Sequence, residues 1–332
     1  MSSLAQITIH HSQFPEQVRR DLLESLRRRE VNHKLHYESV KQTQKWLALH
    51  EAYSPARNDP DCLTIYECGF GAATDRIVTN QAHVIGLGCG GGQKDKRLLE
   101  LLRERKFGVF YTPVDVGSAM VLVARQAALE VIPDSHCFPF VCDLAKADAD
   151  DLGAVLEKGE IVDASRLITF FGMIPNFEPQ IILPRLASLV RNSDWLLFSA
   201  NLAPGPDYHA GIERVLPLYD NQLTRDWLIT FLTDLGIENS DGVLEFSIEP
   251  VADGLERIVA NFRFTRNREI HIENHHFEFP QGEKIRLFFS FRYTPSLVRS
   301  CLAKHGLEAM EEWVTRSEEE GVFLCRRLSR KI

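Results

Sequence analysis

The stretch Gly86-Leu87-Gly88-Cys89-Gly90-Gly91-Gly92 places five glycines in seven positions, and no other segment of the chain implies chemistry so directly. The apolar run His83-Val84-Ile85 precedes it, and Gln93-Lys94 leads on to the helix-like Lys96-Arg97-Leu98-Leu99-Glu100-Leu101-Leu102. A glycine turn between a buried strand and a helix lets backbone press against a nucleotide-like ligand, where a Cβ would collide. Further on, Phe110-Tyr111-Thr112-Pro113-Val114-Asp115 is an apolar segment closed by a carboxylate. A second parallel strand would present such an acid to a ribose.

Two nucleotide ligands fit these residues. Gly86-x-Gly88-x-x-Gly91 matches the dinucleotide fingerprint, with Asp115 as the ribose acid. Equally good is a methyl-donor loop, Gly88-x-Gly90, with Asp115 on the ribose hydroxyls and Asp143 near the adenine amine. A carboxylate suits two ribose hydroxyls because it accepts hydrogen bonds without donating any. Either aspartate could serve instead as a turn residue or helix N-cap.

The elements that must position these groups follow from periodicity. Apolar runs at 83–88, 108–114, 137–142, 166–172 and 194–200 read as strands, and 93–105, 117–130, 148–157 and 178–191 as helices. Such repeats imply an α/β fold with a parallel sheet, whose ligand binds beyond the carboxyl ends of the strands. The closing residues Gly88 to Gly92, Asp115, Asp143 and Gly172 to Asn176 are therefore the candidates. Before this core, 14–50 and 61–78 read as helical, joined by the turn Ser54-Pro55-Ala56-Arg57-Asn58-Asp59-Pro60. After Asn201 a helical stretch covers about 208–235, and strands are expected at 243–248, 257–265, 269–279 and 284–293. A helix from Pro295 and a last strand at 321–326 complete the chain. The expected domains are a Rossmann-like core, 61–203 with 294–332, and an inserted α+β cap, 1–60 with 204–293.

Composition narrows the function. A net charge of −8 argues against nucleic-acid and membrane-surface partners, which need basic patches. No apolar run approaches the roughly 20 residues of a membrane helix, and the first residues carry no secretory signal. Seven scattered cysteines with no CxxC pair point to reduced thiols and a cytoplasmic location. Of the twelve histidines, His10-His11 and His275-His276 are adjacent pairs that on a strand face opposite ways, and no His/Cys cluster has zinc spacing, so no metal site is expected.

Four blocks in order resemble the S-adenosylmethionine-dependent amino-acid α-N-methyltransferases, which include the histidine trimethylating enzymes of the ergothioneine pathway and fungal dimethylallyltryptophan N-methyltransferases. Lys34-Leu35-His36-Tyr37-Glu38 is similar to the family's K-x-F-Y-D, and Glu51-Ala52-Tyr53-Ser54-Pro55 to its E-Y-Y-P. Leu87-Gly88-Cys89-Gly90 with Lys94 resembles L-G-S-G…K-T, and Phe170-Phe171-Gly172-Met173-Ile174-Pro175-Asn176-Phe177-Glu178-Pro179 resembles F-L-G-S-T-I-G-N-L-T-P. The resemblance implies a Rossmann-like methyltransferase core with a cap, and S-adenosylmethionine as cofactor. It implies that Tyr37, Gly88, Gly90, Lys94, Asp115, Asp143 and Leu144 bind the donor. Tyr53, Asn176 and Tyr219 would hold the amino and carboxylate groups of a small-molecule amino acid, with Tyr37 and Asn176 orienting the amine for transfer.

Two departures from the family bear on specificity and binding. The family usually carries an acid where this chain has Gly86. The histidine enzymes place a glutamate two residues before a serine in the cap; here the serine is Ser290 and the glutamate position is Phe288. A phenyl ring cannot accept a bond from an imidazole N–H, and Ala260 stands where those enzymes have a larger side chain. Burying an unpartnered imidazole costs on the order of 1–3 kcal/mol, so a bulkier or more apolar side chain than histidine's is expected. Two readings compete: a nicotinamide-dependent oxidoreductase, and a catalytically inactive methyltransferase-like binding protein.

Overall fold

The computed structural model describes residues 4–54, 58–156, 161 and 163–328. The expected turn at Pro55–Arg57 lies outside them. The strands, in chain order, are β1 (Thr8–Ile9), β2 (Gln81–Leu87), β3 (Gly108–Asp115), β4 (Phe140–Val141), β5 (Ser165–Phe170) and β6 (Trp195–Asn201). There follow β7 (Gly242–Pro250), β8 (Glu256–Phe264), β9 (Arg268–Ile272), β10 (His275–Phe279), β11 (Lys284–Arg292), β12 (Leu307–Val314) and β13 (Glu320–Arg327).

The chain divides into two compact units. The first, here the sheet unit, comprises Met1–Gln13, Pro55–Leu202 and Tyr293–Ile332. Its eight strands run in the order β1-β4-β3-β2-β5-β6-β13-β12. All pairings from β1 to β6 are parallel, while β13 and β12 form an antiparallel closing pair. The central strand β2 is buried at every position after Gln81, as a strand covered by helices on both faces must be. Helices Pro60–Asp75 and Gln93–Glu104 supply Phe70, Leu98, Leu99 and Leu102 to one core cluster with Val84 and Tyr111. The fold is α/β, with a Rossmann-like core.

Two features of this unit depart from the expectation. Residues before 14 belong to the sheet and not to the cap, because Thr8 and Ile9 pair with Phe140 and Val141. A strand that alternation did not reveal, β12, follows the Pro295–Lys304 helix; Glu308, Glu311 and Glu312 and a register shift between Ala309 and Glu311 break its apolar pattern.

The second unit, here the aromatic unit, joins Phe14–Ser54 to Ala203–Arg292. Ser39 and Gln42 form a capping box that starts the Val40–Tyr53 helix, and Asn221 caps Gln222–Thr233. These helices and Pro15–Arg28 accompany an antiparallel sheet of order β11-β8-β7. The segment 269–279, expected as one strand, is a hairpin: β9 and β10 pair with each other across a turn at Glu273, whose φ is 50°. Among the described residues no helix is long and apolar enough to cross a membrane. The seven cysteines are free thiols.

Candidate active site

In the sheet unit the chain passes from β2 to β3 on one side and resumes at β5 on the other. Segments after β2 and β5 thus open from the point where strand order reverses, which is where open parallel sheets bind ligands. After β2, the N–H groups of Gly88 and Cys89 both donate to the Val114 carbonyl, at 2.8 and 3.0 Å. Gly88 has φ 67°, and a Cβ there would lie 2.5 Å from Met173 Sδ. Any other residue would meet both backbone strain and the Met173 thioether. The turn leads into Gln93–Glu104, whose N-cap Gly92 offers no side-chain bond, so the helix start is available to an anionic group.

The acids sit at the next two strand tips. Asp115 is buried; its Oδ2 accepts from Gly90 N–H at 3.0 Å and its Oδ1 from Gly117 N–H at 3.1 Å. Burial raises its carboxyl above the usual range, against the pull of those amides. Asp143 accepts from Ala145 N–H at 2.9 Å, and Leu144 beside it is buried. Gly88, Gly90, Asp115, Asp143 and Leu144 are thus gathered along one edge of the sheet.

Lys94 points elsewhere. Its Nζ donates to the Tyr66 hydroxyl at 2.7 Å and lies 3.9 Å from Glu320. The Tyr66 hydroxyl is 2.5 Å from Glu320 Oε1 and 2.8 Å from Ser199 Oγ, which accepts from Gly172 N–H. Lys94 therefore ties the loop's helix to β6, β13 and the segment after β5. Sequence reading missed Tyr66 and Glu320 because they lie on a distant helix and on the last strand. It also missed the buried Asp95. Burial and the carboxylates of Asp115 and Asp95 push the Cys89 thiol well above the ordinary value. Asn176 closes the short helical turn Ile174–Asn176 after β5.

In the aromatic unit, Tyr37, Tyr219, Phe288 and Ser290 come together. Phe288 lies directly opposite Ala260 on β8, so the two cap positions that differ from the histidine enzymes are cross-strand partners. The register of β11 shifts between Arg286 and Phe288. That bulge interrupts strict alternation at Leu287 and sets Phe288, which is 9% exposed, opposite Ala260. The Phe288 ring has neighbours at centroid distances of 5.4 Å (His33), 6.0 Å (Trp227) and 6.2 Å (Tyr219). Tyr37 packs on Trp227 at 5.7 Å and on Trp46 at 6.1 Å.

The polar groups of this cluster are neutral except for one cation. The Tyr37 hydroxyl is 3.2 Å from His33 Nε2, and His36 Nε2–H donates to the Leu287 carbonyl at 2.7 Å. Burial lowers His33 to about 3, assisted by repulsion from His36, and lowers His36 to about 4 despite its carbonyl bond. The cation is Arg292, which is buried and donates to the Tyr219 hydroxyl at 2.9 Å, while that hydroxyl lies 2.8 Å from Ser290 Oγ. Arg292, His33 and Trp227 were not found from the sequence. Tyr53 does not join them: it ends the Val40–Tyr53 helix and is 54% exposed.

Among the described residues one group has the proximity of metal ligands: Glu269, His271 and His276 on the β9–β10 hairpin, all exposed. His276 stands opposite His271, not His275, and the Glu269 carboxylate lies 3.4 and 3.2 Å from the two rings, which accounts for their approach.

Residues 18–327 match the profile of a family described as histidine-specific methyltransferase, SAM-dependent. The N-methyltransferase imqF of Aspergillus flavus is 21% identical over 286 residues, covering 82% of this chain and 73% of that protein. Among solved structures, the CcbJ methyltransferase of Streptomyces caelestis is similar over 81% of this chain and 96% of its own, at 16% identity and TM-score 0.41. The 1,6-didemethyltoxoflavin-N1-methyltransferase of Burkholderia thailandensis is similar over 86% and 91%, at 12% identity and TM-score 0.41. The family match overturns the nicotinamide reading of Gly86-x-Gly88-x-x-Gly91. Since the matched residues span the glycine loop, the strand tips and the aromatic cluster, the chain belongs to the histidine-specific methyltransferase family and is a methyltransferase that uses S-adenosylmethionine.

Proposed function

We propose that this enzyme methylates the α-amine of an amino acid, or a close derivative, whose side chain is larger or more apolar than histidine's. The observation that carries the reading is the ring cluster at Phe288, where the cross-strand partner is Ala260 and no carboxylate faces the ring among the contacts described. Such a surface rewards aromatic or prenylated area and offers an imidazole N–H no carboxylate among the contacts described.

The sheet unit fits the donor. A glycine loop that excludes Cβ atoms, an uncapped helix start and acids on consecutive strand tips suit a sulfonium compound bearing an adenosine and a carboxylate. When bound, S-adenosylmethionine supplies an electrophilic methyl group. What remains for the protein is to present a neutral amine in line, so alignment does most of the catalysis. Asp115 takes the ribose hydroxyls and Asp143 the adenine amine. Tyr37 and Asn176 keep the amine-orienting roles that the resemblance implies. The amine must reach the methyl group unprotonated, its proton having left to water, and the methylated product can depart as an ammonium. The Tyr37 hydroxyl, 3.2 Å from His33 Nε2, keeps a hydrogen-bonding role toward that amine. Tyr219 accepts from Arg292, which leaves its own hydrogen for Ser290 or a substrate carboxylate.

The test is a mass-spectrometric screen of amino acids and aromatic derivatives, with purified protein and S-adenosylmethionine and with histidine as the comparison. N-methylated products from indole or phenol side chains, with histidine at least about tenfold poorer, are expected. Preference for histidine overturns the reading. Tight donor binding with no product from any amine would identify an inactive binding protein instead.

A further inference from the structure

Gly86 and Asp95 occupy one space. A Cβ on Gly86 would lie 2.2 Å from Asp95 Oδ2 and 3.0 Å from the Tyr111 hydroxyl. Asp95 is only 3% exposed and sits in the first turn of Gln93–Glu104, the helix that leaves the glycine loop. Its Oδ2 accepts from the Tyr111 hydroxyl and its Oδ1 from the Thr169 hydroxyl, each at 2.7 Å. Tyr111 belongs to β3 and Thr169 to β5, the strands on either side of β2. Gly86 itself is paired with Thr169 on one side and Pro113 on the other.

A single carboxylate thus crosses over β2 to bind both neighbouring strands, and it can do so only because position 86 has no side chain. Burying a carboxylate is costly unless its oxygens are satisfied, and here burial raises its pKa even against two hydroxyl donors. A leucine or threonine at position 95 would pack this interface at less cost, so the acid has a task beyond holding the helix down. The helix start and the loop are continuous backbone: Lys96 N–H donates to Gly92 O, and Gly92 N–H to Cys89 O. Whatever pins residue 95 sets the direction of the amides from Gly90 to Gln93.

We propose that Asp95 is the positioning residue of the donor loop, its carboxylate supplied from the helix into the space that Gly86 leaves open on the strand. The inference rests on the reading of residues 88–92 as the donor loop and not on the identity of the acceptor. Gly86 is then a requirement of the site and no loss of function.

The experiment measures S-adenosylhomocysteine affinity by calorimetry, and melting temperature without ligand, for Asp95→Asn, Tyr111→Phe, Gly86→Ala, Asp95→Ala and the double variant Gly86→Ala/Asp95→Ala. Asp95→Asn keeps the volume and Tyr111→Phe removes a single hydroxyl, so both should fold, yet they should weaken binding about tenfold and about threefold respectively. Gly86→Ala should weaken binding by about tenfold or more in the wild-type background, since the carboxylate must leave. In the double variant it should add nothing to the cost of Asp95→Ala. A merely structural aspartate would lower the melting temperature and leave affinity alone. Unchanged affinity in Asp95→Asn and Tyr111→Phe overturns the proposal, as does strict additivity of Gly86→Ala with Asp95→Ala. If Gly88→Val also leaves affinity unchanged, it is the loop assignment that has failed.

Discussion

Around Gly88 the chemistry is carried by backbone amides, a left-handed turn and carboxylates sunk beneath the surface, whereas around Phe288 it is carried by rings and neutral imidazoles. The two regions belong to different compact units of one chain. Charged and ribose-bearing ligands must be met by groups at fixed positions, because an unmatched buried polar atom costs more than a matched one contributes. A side chain held by aromatic area is met by shape, which tolerates exchange of one ring for another. Substitutions in the sheet unit should therefore behave nearly as all-or-none, and those in the aromatic unit should retune preference.

The largest effect that would test this contrast is at Gly88. Gly88→Val combines φ 67° with a Cβ 2.5 Å from Met173 Sδ, and S-adenosylhomocysteine affinity should fall by at least about a hundredfold in a calorimetric titration. Retained binding would show that the loop tolerates what its geometry forbids. Next comes Phe288→Glu, which restores an acceptor opposite the small Ala260. Relative kcat/KM should move toward histidine by about ten- to a hundredfold over aromatic amino acids, with donor affinity unchanged. Equal loss toward all acceptors would place Phe288 in packing alone.

The smallest effect is on stability against pH. His33 and His36 in the aromatic unit are lowered to about 3 and about 4, and His83 in the sheet unit to about 3, all chiefly by burial. A group whose folded pKa is depressed favours unfolding as pH falls below its unfolded value of 6.5, because only the unfolded chain takes up the proton. Both units should lose stability between pH 6.5 and about 4, the aromatic unit more. Hydrogen exchange followed by mass spectrometry should show residues 14–54 and 203–292 losing protection first. Overall melting should drop by about 5 °C. His33→Phe should flatten that dependence, and equal loss in both units would break the contrast.

Part of this was legible in residues read singly or as neighbours. The glycine turn, the acid at the end of each of two strands and the strand–helix rhythm from 83 to 203 are local signals, since burial on both faces and helix periodicity are written within a few residues. The four motif blocks carried the family and with it the donor. The β9–β10 hairpin and β12 escaped, one because its turn is made by Glu273 and Asn274 without glycine or proline, the other because glutamates and a register shift interrupt its alternation.

By its own order of residues, then, the chain determined a nucleotide-type loop, a parallel core and a later antiparallel portion. Tertiary structure alone decided that Asp95 fills the void above Gly86, that Lys94 turns to Tyr66 and Glu320, and that a bulge at Leu287 sets Phe288 facing Ala260 among His33 and Trp227. The physical reason is that periodicity reports which face of an element is buried but not what it is buried against. The partner across a sheet depends on register, and one extra residue in a strand changes it for every side chain that follows.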